Sequence, residues 1–349
     1  MGHVNKKERV RRTLWREPID RLPTQINYTE AMGRGIAQQF SVPISALPDY
    51  LDNHLLRVDL SYERRTSDDG GVRYDWWGVG WNAKSEGYWT AYEPLRESDD
   101  LEAFLWPDPH TLGLLDAAAE AVAADSGQHF VVPNFGFCLF ERAWSLRGFE
   151  QLNLDLALNP SFVESLLDRI TEIQVALCQR FVAMGVDGGY FGDDYGAQKG
   201  TLFSPKMWRQ LFKPRLARMF AIFRDAGLPV LMHSDGDIGP ILPDLVEIGL
   251  TALNPVQPEV LDHAWLRKTF GRQLAFYGGI STQTVLPRGT PAAVRAAVRE
   301  CVRNLAPDGT GLLLAPSHRM MSDIPLANVA ALLSAFSTLE EGQIGSERA

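Results

Sequence analysis

Apolar runs of strand length alternate with helical stretches along most of this chain, and this alternation restricts the possible folds more than any other feature. One helix with apolar residues at helical spacing begins at Asn159-Pro160 and ends at Gly185. The strand candidates are residues 22–28, 129–134, 186–191, 228–233, 250–256, 273–279 and 311–315. Repeated strand–helix units with short connections predict a parallel sheet with right-handed crossovers.

A closed barrel explains this pattern better than an open sheet. The seven strand candidates are one short of a (β/α)8 barrel. Neither a Gly-x-Gly-x-x-Gly motif after the first strand nor a P-loop is present, and these are signatures of nucleotide-binding open sheets. We therefore expect an α/β protein with a (β/α)8 TIM-type barrel, one strand of which is not located. The carboxyl ends of its strands would converge on one opening, here called the mouth.

The regular pattern has two exceptions before residue 110. Residues 29–60 are predicted to be helical with interruptions, and residues 61–106 are rich in aromatic residues and glycine. The second segment predicts an excursion from the barrel, which could be a lid over the site, a dimer contact or an ordinary packed hairpin. We expect one domain over residues 1–340 and a disordered polar tail over residues 341–349.

Composition narrows the classes of partner. With 34 Lys and Arg against 43 Asp and Glu, the net charge is −9, which argues against nucleic acid and anionic membranes. The chain has no apolar run long enough for a transmembrane helix, and its start lacks the apolar core of a signal peptide. Three widely spaced cysteines form neither a zinc pattern nor a disulfide framework. We expect a cytoplasmic protein.

The strand at residues 228–233 is followed by a dense group of polar side chains. His233 and Asp235 are two residues apart, so in an extended chain they point to the same side. This pair could hold a metal ion, or it could be a base with its orienting carboxylate. The alternative is a hydrogen-bonded turn with a capping aspartate.

Polar residues also follow the other predicted strands. The residues expected at the mouth are Asn134, Asp193, Asp194, Tyr195, His233, Asp235, Gln257, Tyr277 and His318. Two histidines and several carboxylates from different strands could bind Zn²⁺ or a harder divalent ion, or act as general acid and base. Because Asp193 and Asp194 are adjacent, at most one should face the mouth, and the other should be a helix N-cap or a loop ligand. His318 could instead be a core imidazole bonded to the backbone.

Three arginines near the strand ends, Arg142, Arg147 and Arg319, could bind a substrate carboxylate through two parallel hydrogen bonds. The alternative is that they form surface ion pairs.

A set of short motifs resembles the uroporphyrinogen decarboxylase-like superfamily. The motifs are Asp20-Arg-Leu-Pro, Trp106-Pro-Asp-Pro, Leu231-Met-His233-Ser-Asp-Gly, Gly278-Gly-Ile, Thr290-Pro-Ala-Ala-Val, Leu314-Ala-Pro-Ser-His318 and Pro325-Leu-Ala-Asn328. The resemblance extends from about residue 5 to residue 338. It implies a (β/α)8 barrel with its site at the strand ends, often in a homodimer.

The chain departs from true uroporphyrinogen decarboxylases. Those enzymes carry a Gln-Ala-Gly-Arg segment after the first strand that grips the carboxylates of the macrocycle. Here residues 25–34 retain only the Gly33-Arg34 pair. The departure argues against cofactor-free decarboxylation of uroporphyrinogen, although His318 matches a histidine of the decarboxylase pocket.

The chain is also similar to the corrinoid-linked methyltransferases, which hold zinc with a His-x-Cys pair and a later cysteine. His233 matches the histidine, Asp235 replaces the first cysteine, and Ser317-His318 stands near the second. This likeness implies a metal site of His233, Asp235 and His318. Such a donor set is harder than His-Cys-Cys and suits an oxygen substrate, such as a methyl ether or alcohol, better than a thiol.

The first hypothesis is therefore metal-assisted methyl transfer or O-demethylation of a small oxygenated substrate, with zinc or another divalent metal and a corrinoid on a partner protein. The predicted catalytic residues are Asp194, His233, Asp235 and His318. The predicted substrate contacts are Tyr28, Asn134, Arg147, Asp193, Tyr195, Gln257, Tyr277 and Arg319. The alternatives are a metal-independent decarboxylase of a porphyrinogen-type or smaller acid, and a barrel that binds a ligand or a corrinoid protein without turnover.

Overall fold

A computed structural model describes residues 4–339 of the chain, and the predicted tail at residues 341–349 lies outside the described residues. The strands are β1 (Leu55–Val58), β2 (Val72–Tyr74), β3 (Gly80–Asn82), β4 (Thr90–Tyr92), β5 (Phe130–Pro133), β6 (Gly189–Gly192), β7 (Gly196–Ala197), β8 (Gly200–Thr201), β9 (Val230–His233), β10 (Ala252–Asn254), β11 (Ala275–Ile280) and β12 (Leu312–Pro316).

From β5 onward, α-helices separate the parallel strands, as predicted. The α-helices are α1 (Lys6–Leu14), α2 (Glu30–Phe40), α3 (Leu47–Tyr50), α4 (Asp116–Asp125), α5 (Phe140–Arg147), α6 (Phe149–Leu158), α7 (Pro160–Met184), α8 (Pro205–Leu211), α9 (Lys213–Asp225), α10 (Leu242–Glu247), α11 (His263–Phe270), α12 (Val285–Arg288), α13 (Pro291–Leu305) and α14 (Leu326–Thr338). Short 3₁₀ helices lie at Ile44–Ala46 and Gly239–Ile241. Within residues 4–339, no helix is both long and apolar enough to cross a bilayer.

The parallel strands form a ring. Strands β6, β9, β10, β11 and β12 are hydrogen-bonded in that order, and β1 pairs with β5. A parallel bridge between Phe135 and Phe191 joins β5 to β6. On the other side, Thr24 bridges to Leu314 of β12, and its carbonyl accepts the His54 amide beside β1. Residues 24–28 thus occupy the position of the eighth strand of the barrel, which confirms the predicted fold class.

The strand that the sequence did not reveal is β1, and it lies in the segment predicted to be helical with interruptions. It contains four residues, and a charged side chain, Arg57, interrupts its apolar character. Its partner at residues 24–28 is held largely by side chains: the Asn53 amide bonds both polar groups of the Ile26 backbone. Gln25 Oε1 accepts the amides of His54 and Leu55. These long-range bonds leave no periodic signal in the sequence.

The aromatic segment forms an antiparallel sheet of β2, β3 and β4 beside the mouth. Trp81 of β3 packs edge-on against Phe137 and Trp144, with ring centroids 4.9 and 6.3 Å apart. Trp76 and Trp77 line the cavity at the mouth. The excursion therefore packs on the barrel and contributes part of the cavity wall.

Side-chain alternation along β9 explains how the barrel presents its polar groups. Leu231 belongs to the apolar cluster inside the barrel, whereas Val230 and Met232 pack on the surrounding helices. Because the pleat has a period of two, His233 points to the interior as Leu231 does, but at the carboxyl end of the strand. At the opposite end of the barrel, α1 contributes Val10 and Leu14 to the interior cluster.

Candidate metal centre

His233 occupies a fixed orientation at the mouth. Its Nδ1 lies 2.7 Å from Asn254 Oδ1, and the Tyr190 hydroxyl donates to the same oxygen at 2.8 Å. Asn254 Nδ2 donates to the Tyr277 carbonyl at 2.9 Å, which sets the amide so that Oδ1 is the acceptor. His233 therefore carries its proton on Nδ1 and presents the Nε2 lone pair to the mouth.

Three potential metal ligands meet in front of that nitrogen. His233 Nε2 lies 3.8 Å from Asp235 Oδ1, and His318 Nε2 lies 4.0 Å from Asp235 Oδ2. One ligand atom from each of the three residues lies within 4.8 Å of the other two. Two imidazoles and a carboxylate suit Zn²⁺ and similar divalent ions, and a set of three protein ligands leaves a position for substrate. The residues present therefore fit a catalytic metal.

Close packing of two loops positions Asp235. The following residue, Gly236, has φ +80°, and a Cβ there would lie 2.4 Å from the carbonyl carbon of Gly196. Only glycine permits both the backbone conformation and the approach to β7. The Asp235 amide also donates to Asp194 Oδ1 at 2.8 Å, so the two loops hold the two carboxylates side by side.

The adjacent aspartates have different roles, as predicted from their opposite directions. Asp193 accepts the amides of Phe140 and Glu141 at 2.9 and 2.7 Å, at the start of α5, and also the Tyr195 hydroxyl. Burial raises the pKa of Asp193 to about 6, against the effect of these hydrogen bonds. Asp194 lines the cavity instead, with Oδ1 3.8 Å from His233 Nε2.

The metal-ligand group lies at the junction of two cavities. The larger has a volume of about 390 Å³ and contains His233 and Asp194, with a wall formed by Trp76, Trp77, Tyr88, Phe135, Phe137 and Phe181. The smaller, of about 250 Å³, contains Asp235 and Gln257. His318 borders both cavities. A small molecule with an apolar body and a few polar groups would match the larger one.

Of the predicted substrate contacts, Asn134 and Arg319 line the larger cavity, and Gln257 lines the smaller. The Asn134 amide donates to Asp59 at 2.9 Å. Arg319 lies over the Tyr88 ring at 4.3 Å and donates to the Glu86 carbonyl.

The other five predicted contacts are corrected by the structure, because the described residues that line the two cavities do not include them. Arg147 is buried and bonded to Asp155 at 2.7 Å and to two carbonyls. Asp193 and Tyr195 bond to each other and are fully buried, since they anchor α5.

The two remaining tyrosines pack against other parts of the chain. The Tyr277 hydroxyl accepts a hydrogen bond from Asn27 at 3.2 Å, and Tyr277 is buried inside the barrel. Since Asn27 lines the larger cavity, Tyr277 supports the cavity wall from within the barrel. The Tyr28 ring lies so close to Gly33 that a Cβ there would be 2.8 Å away.

Sequence reasoning missed three residues of the site. Asn254 follows the same strand-end rule as His233 and could have been found by it. Glu141 lines the larger cavity, and burial, with neighbouring Asp194, Asp193 and Asp235, raises its pKa well above the usual range. Its carboxyl group is therefore protonated more readily than that of an ordinary glutamate. Arg57 also lines this cavity and was missed because β1 was not located.

The chain is similar in sequence to a methyltransferase. A "Methylated-thiol--coenzyme M methyltransferase" of Methanosarcina mazei is 22% identical over 209 residues. The match covers 58% of this chain and 54% of that protein, so the chain spans about half the length of this relative.

A solved structure described as a methyltransferase from Methanosarcina mazei superimposes with a TM-score of 0.72 at 19% identity, and the superposition covers 96% of this chain and 99% of that one. At that identity the likeness shows the fold, and it confirms the barrel.

The family described as "Uroporphyrinogen decarboxylase (URO-D)" matches residues 78–339, which is most of the chain. This match confirms the superfamily resemblance that the short motifs predict. The chain belongs to the uroporphyrinogen decarboxylase family.

Proposed function

We propose that this protein is a metal-dependent methyltransferase that takes a methyl group from a small oxygenated substrate, such as a methyl ether or alcohol. The observation that carries the proposal is the convergence of His233, Asp235 and His318 at the mouth, with ligand atoms within 4.8 Å of one another. The similarity to methyltransferases supports it.

The three residues would hold Zn²⁺ or a similar divalent ion. A bound ion would act as a Lewis acid at the substrate oxygen, which makes that oxygen a better leaving group. The nitrogen and oxygen donors favour an oxygen substrate, in contrast to the thiol in the name of the relative.

The protein's own residues would orient the reaction and manage its proton. Asn254 and Tyr190 hold His233 in one tautomer. The excursion residues Trp76 and Trp77 form part of the cavity wall. In the transfer, the oxygen–methyl bond breaks, the oxygen keeps the electron pair, and a nucleophilic acceptor supplies the electron pair of the new bond to the methyl carbon. Glu141, whose pKa is raised by burial, lines the same cavity and would donate a proton to that oxygen.

The methyl acceptor in this proposal is a corrinoid carried by a partner protein. It is motivated by the resemblance to the corrinoid-linked methyltransferases. The homodimer remains a prediction of the same resemblance.

Metal content is the first test, measured by elemental analysis after incubation with Zn²⁺ and desalting. We expect one equivalent in the wild type and little in His233→Ala, because the variant loses an oriented ligand. His110→Ala is the matched control, since His110 is exposed and outside the site, and it should bind as the wild type does.

Absence of metal from the wild type, or full retention by His233→Ala, would contradict the proposal. If the wild type retains zinc, methyl ethers would be screened with a corrinoid acceptor. Release of CO₂ from a carboxylic acid by metal-free protein would favour the decarboxylase alternative, in which Glu141 would protonate the carbanion.

A further inference from the structure

We propose that Arg57 binds a carboxylate of the substrate, so that the methyl donor is a small methoxylated carboxylic acid. This inference rests on the proposed function and specifies its substrate class. Arg57 lies on β1 and projects into the larger cavity. The guanidinium carbon lies 4.2 Å from the centroid of the Tyr190 ring. A guanidinium stacked by its face keeps its edges free for a planar anion.

No carboxylate pairs with Arg57 in the described part of the chain. Of the three arginines predicted to bind a carboxylate, Arg142 and Arg147 pair with Asp75 and Asp155 at 2.7 Å each, and the Arg319 guanidinium donates to the Glu86 carbonyl. Within residues 4–339, no carboxylate oxygen lies within 4.0 Å of the Arg57 guanidinium, and its buried Nε has no hydrogen-bond partner. The side chains that face the guanidinium are those of Tyr190 and of Tyr277, its hydrogen-bond partner, and neither is a carboxylate. A partly enclosed charge without a counter-ion is costly, and an anionic ligand would remove that cost.

The position of Arg57 in the same cavity as the metal ligands indicates the chemical class of the substrate. Tyr190, against which Arg57 stacks, donates to Asn254, and Asn254 orients His233. Arg57 and His233 therefore line the same cavity, and Tyr190 contacts Arg57 directly and His233 through Asn254. A molecule whose carboxylate binds Arg57 can extend its body along the aromatic wall and present a methoxy oxygen at the metal ligands.

The test is a binding measurement that requires neither metal nor turnover. Metal-free protein would be titrated by calorimetry with 4-methoxybenzoate, with methoxyacetate and with the uncharged 4-methoxybenzyl alcohol. We expect 4-methoxybenzoate to bind at least tenfold more tightly than the alcohol, because a hydrogen-bonded charged pair contributes about that much or more. Arg57→Gln should abolish the preference, and Arg57→Lys should retain part of it.

Arg73→Gln is the matched control, because Arg73 lies on β2 with an exposed side chain outside the cavity. It should keep the preference for the acid. Thermal unfolding of each variant would show that it is folded. If Arg57→Gln does not fold, the comparison of acid and alcohol on the wild type still decides the question.

Equal affinity for acid and alcohol, retention of the preference in Arg57→Gln, or absence of binding by both acids would overturn the inference. The result is separable from the metal test. Zinc binding without a preference for the acid would leave the methyltransferase proposal in place and remove only the substrate class. A preference for the acid in a protein that binds no zinc would retain the carboxylate site and remove the methyl-transfer proposal.

Discussion

At the scale of single residues, the site depends on side chains whose directions are set by their partners. The direction of His233 could be predicted from its spacing to Leu231 on one strand. The choice between Asp193 and Asp194 could not, because it is decided by the amides at the start of α5, about fifty residues earlier in the chain.

Asn254 is predicted to be a positioning residue for the metal site. Replacing it in Asn254→Leu removes the acceptor of His233 Nδ1 and of the Tyr190 hydroxyl, while it keeps a similar volume. Loss of such a support typically lowers metal affinity about 10- to 100-fold. A competitive zinc titration against a chelator would measure the change.

Asn153→Leu serves as the control for that experiment. Asn153 is exposed on α6, and its side-chain amide donates to the Phe149 carbonyl. Its zinc affinity should equal that of the wild type. A wild-type affinity in Asn254→Leu would show that His233 does not need this orientation to bind metal.

At the scale of secondary-structure elements, the succession of strands and helices was predictable from residue 110 onward because each element buries a periodic apolar face. Strand β1 was not, because its four residues carry Arg57 and its partners are bonded through Asn53 and Gln25. The element that sequence patterns missed thus supplies one of the charged residues that line the cavity.

Arg147 is predicted to stabilise the corner between α5 and α6 and to have no role in binding substrate. Its side chain and that of Asp155 are only 8% and 7% exposed. Arg147→Ala would leave a buried carboxylate without its partner, which should cost about 3–5 kcal/mol in the free energy of unfolding. Urea denaturation would measure this loss.

The exposed pair of Arg218 and Glu172 provides the comparison, because the two side chains are 47% and 58% exposed. Arg218→Ala should change the free energy of unfolding by about 1 kcal/mol or less. If Arg147→Ala unfolded at the same urea concentration as the wild type, the buried pair would not have the structural role assigned to it.

At the scale of the whole molecule, the barrel brings to one mouth residues that are far apart in the sequence. His233 and His318 are separated by several strands, yet both lie within 4.0 Å of Asp235. The polar residues at the strand ends predicted this convergence, and the resemblance to a known family added its assignment as a metal site. The position of the aromatic excursion beside the site was only one of several alternatives that the sequence left open. It depends on long-range contacts such as those of Trp81 with Phe137 and Trp144.

The most direct test of the central claim is X-ray absorption spectroscopy at the zinc edge of the reconstituted protein. We expect nitrogen and oxygen ligands at about 2.0–2.2 Å, two of them imidazoles, and no sulfur ligand at about 2.3 Å. Cys138, Cys178 and Cys301 are all buried and are not among the described residues that line the two cavities, so none should contribute. A sulfur ligand, or a spectrum without imidazole scattering, would contradict the assignment of His233, Asp235 and His318 as the metal centre.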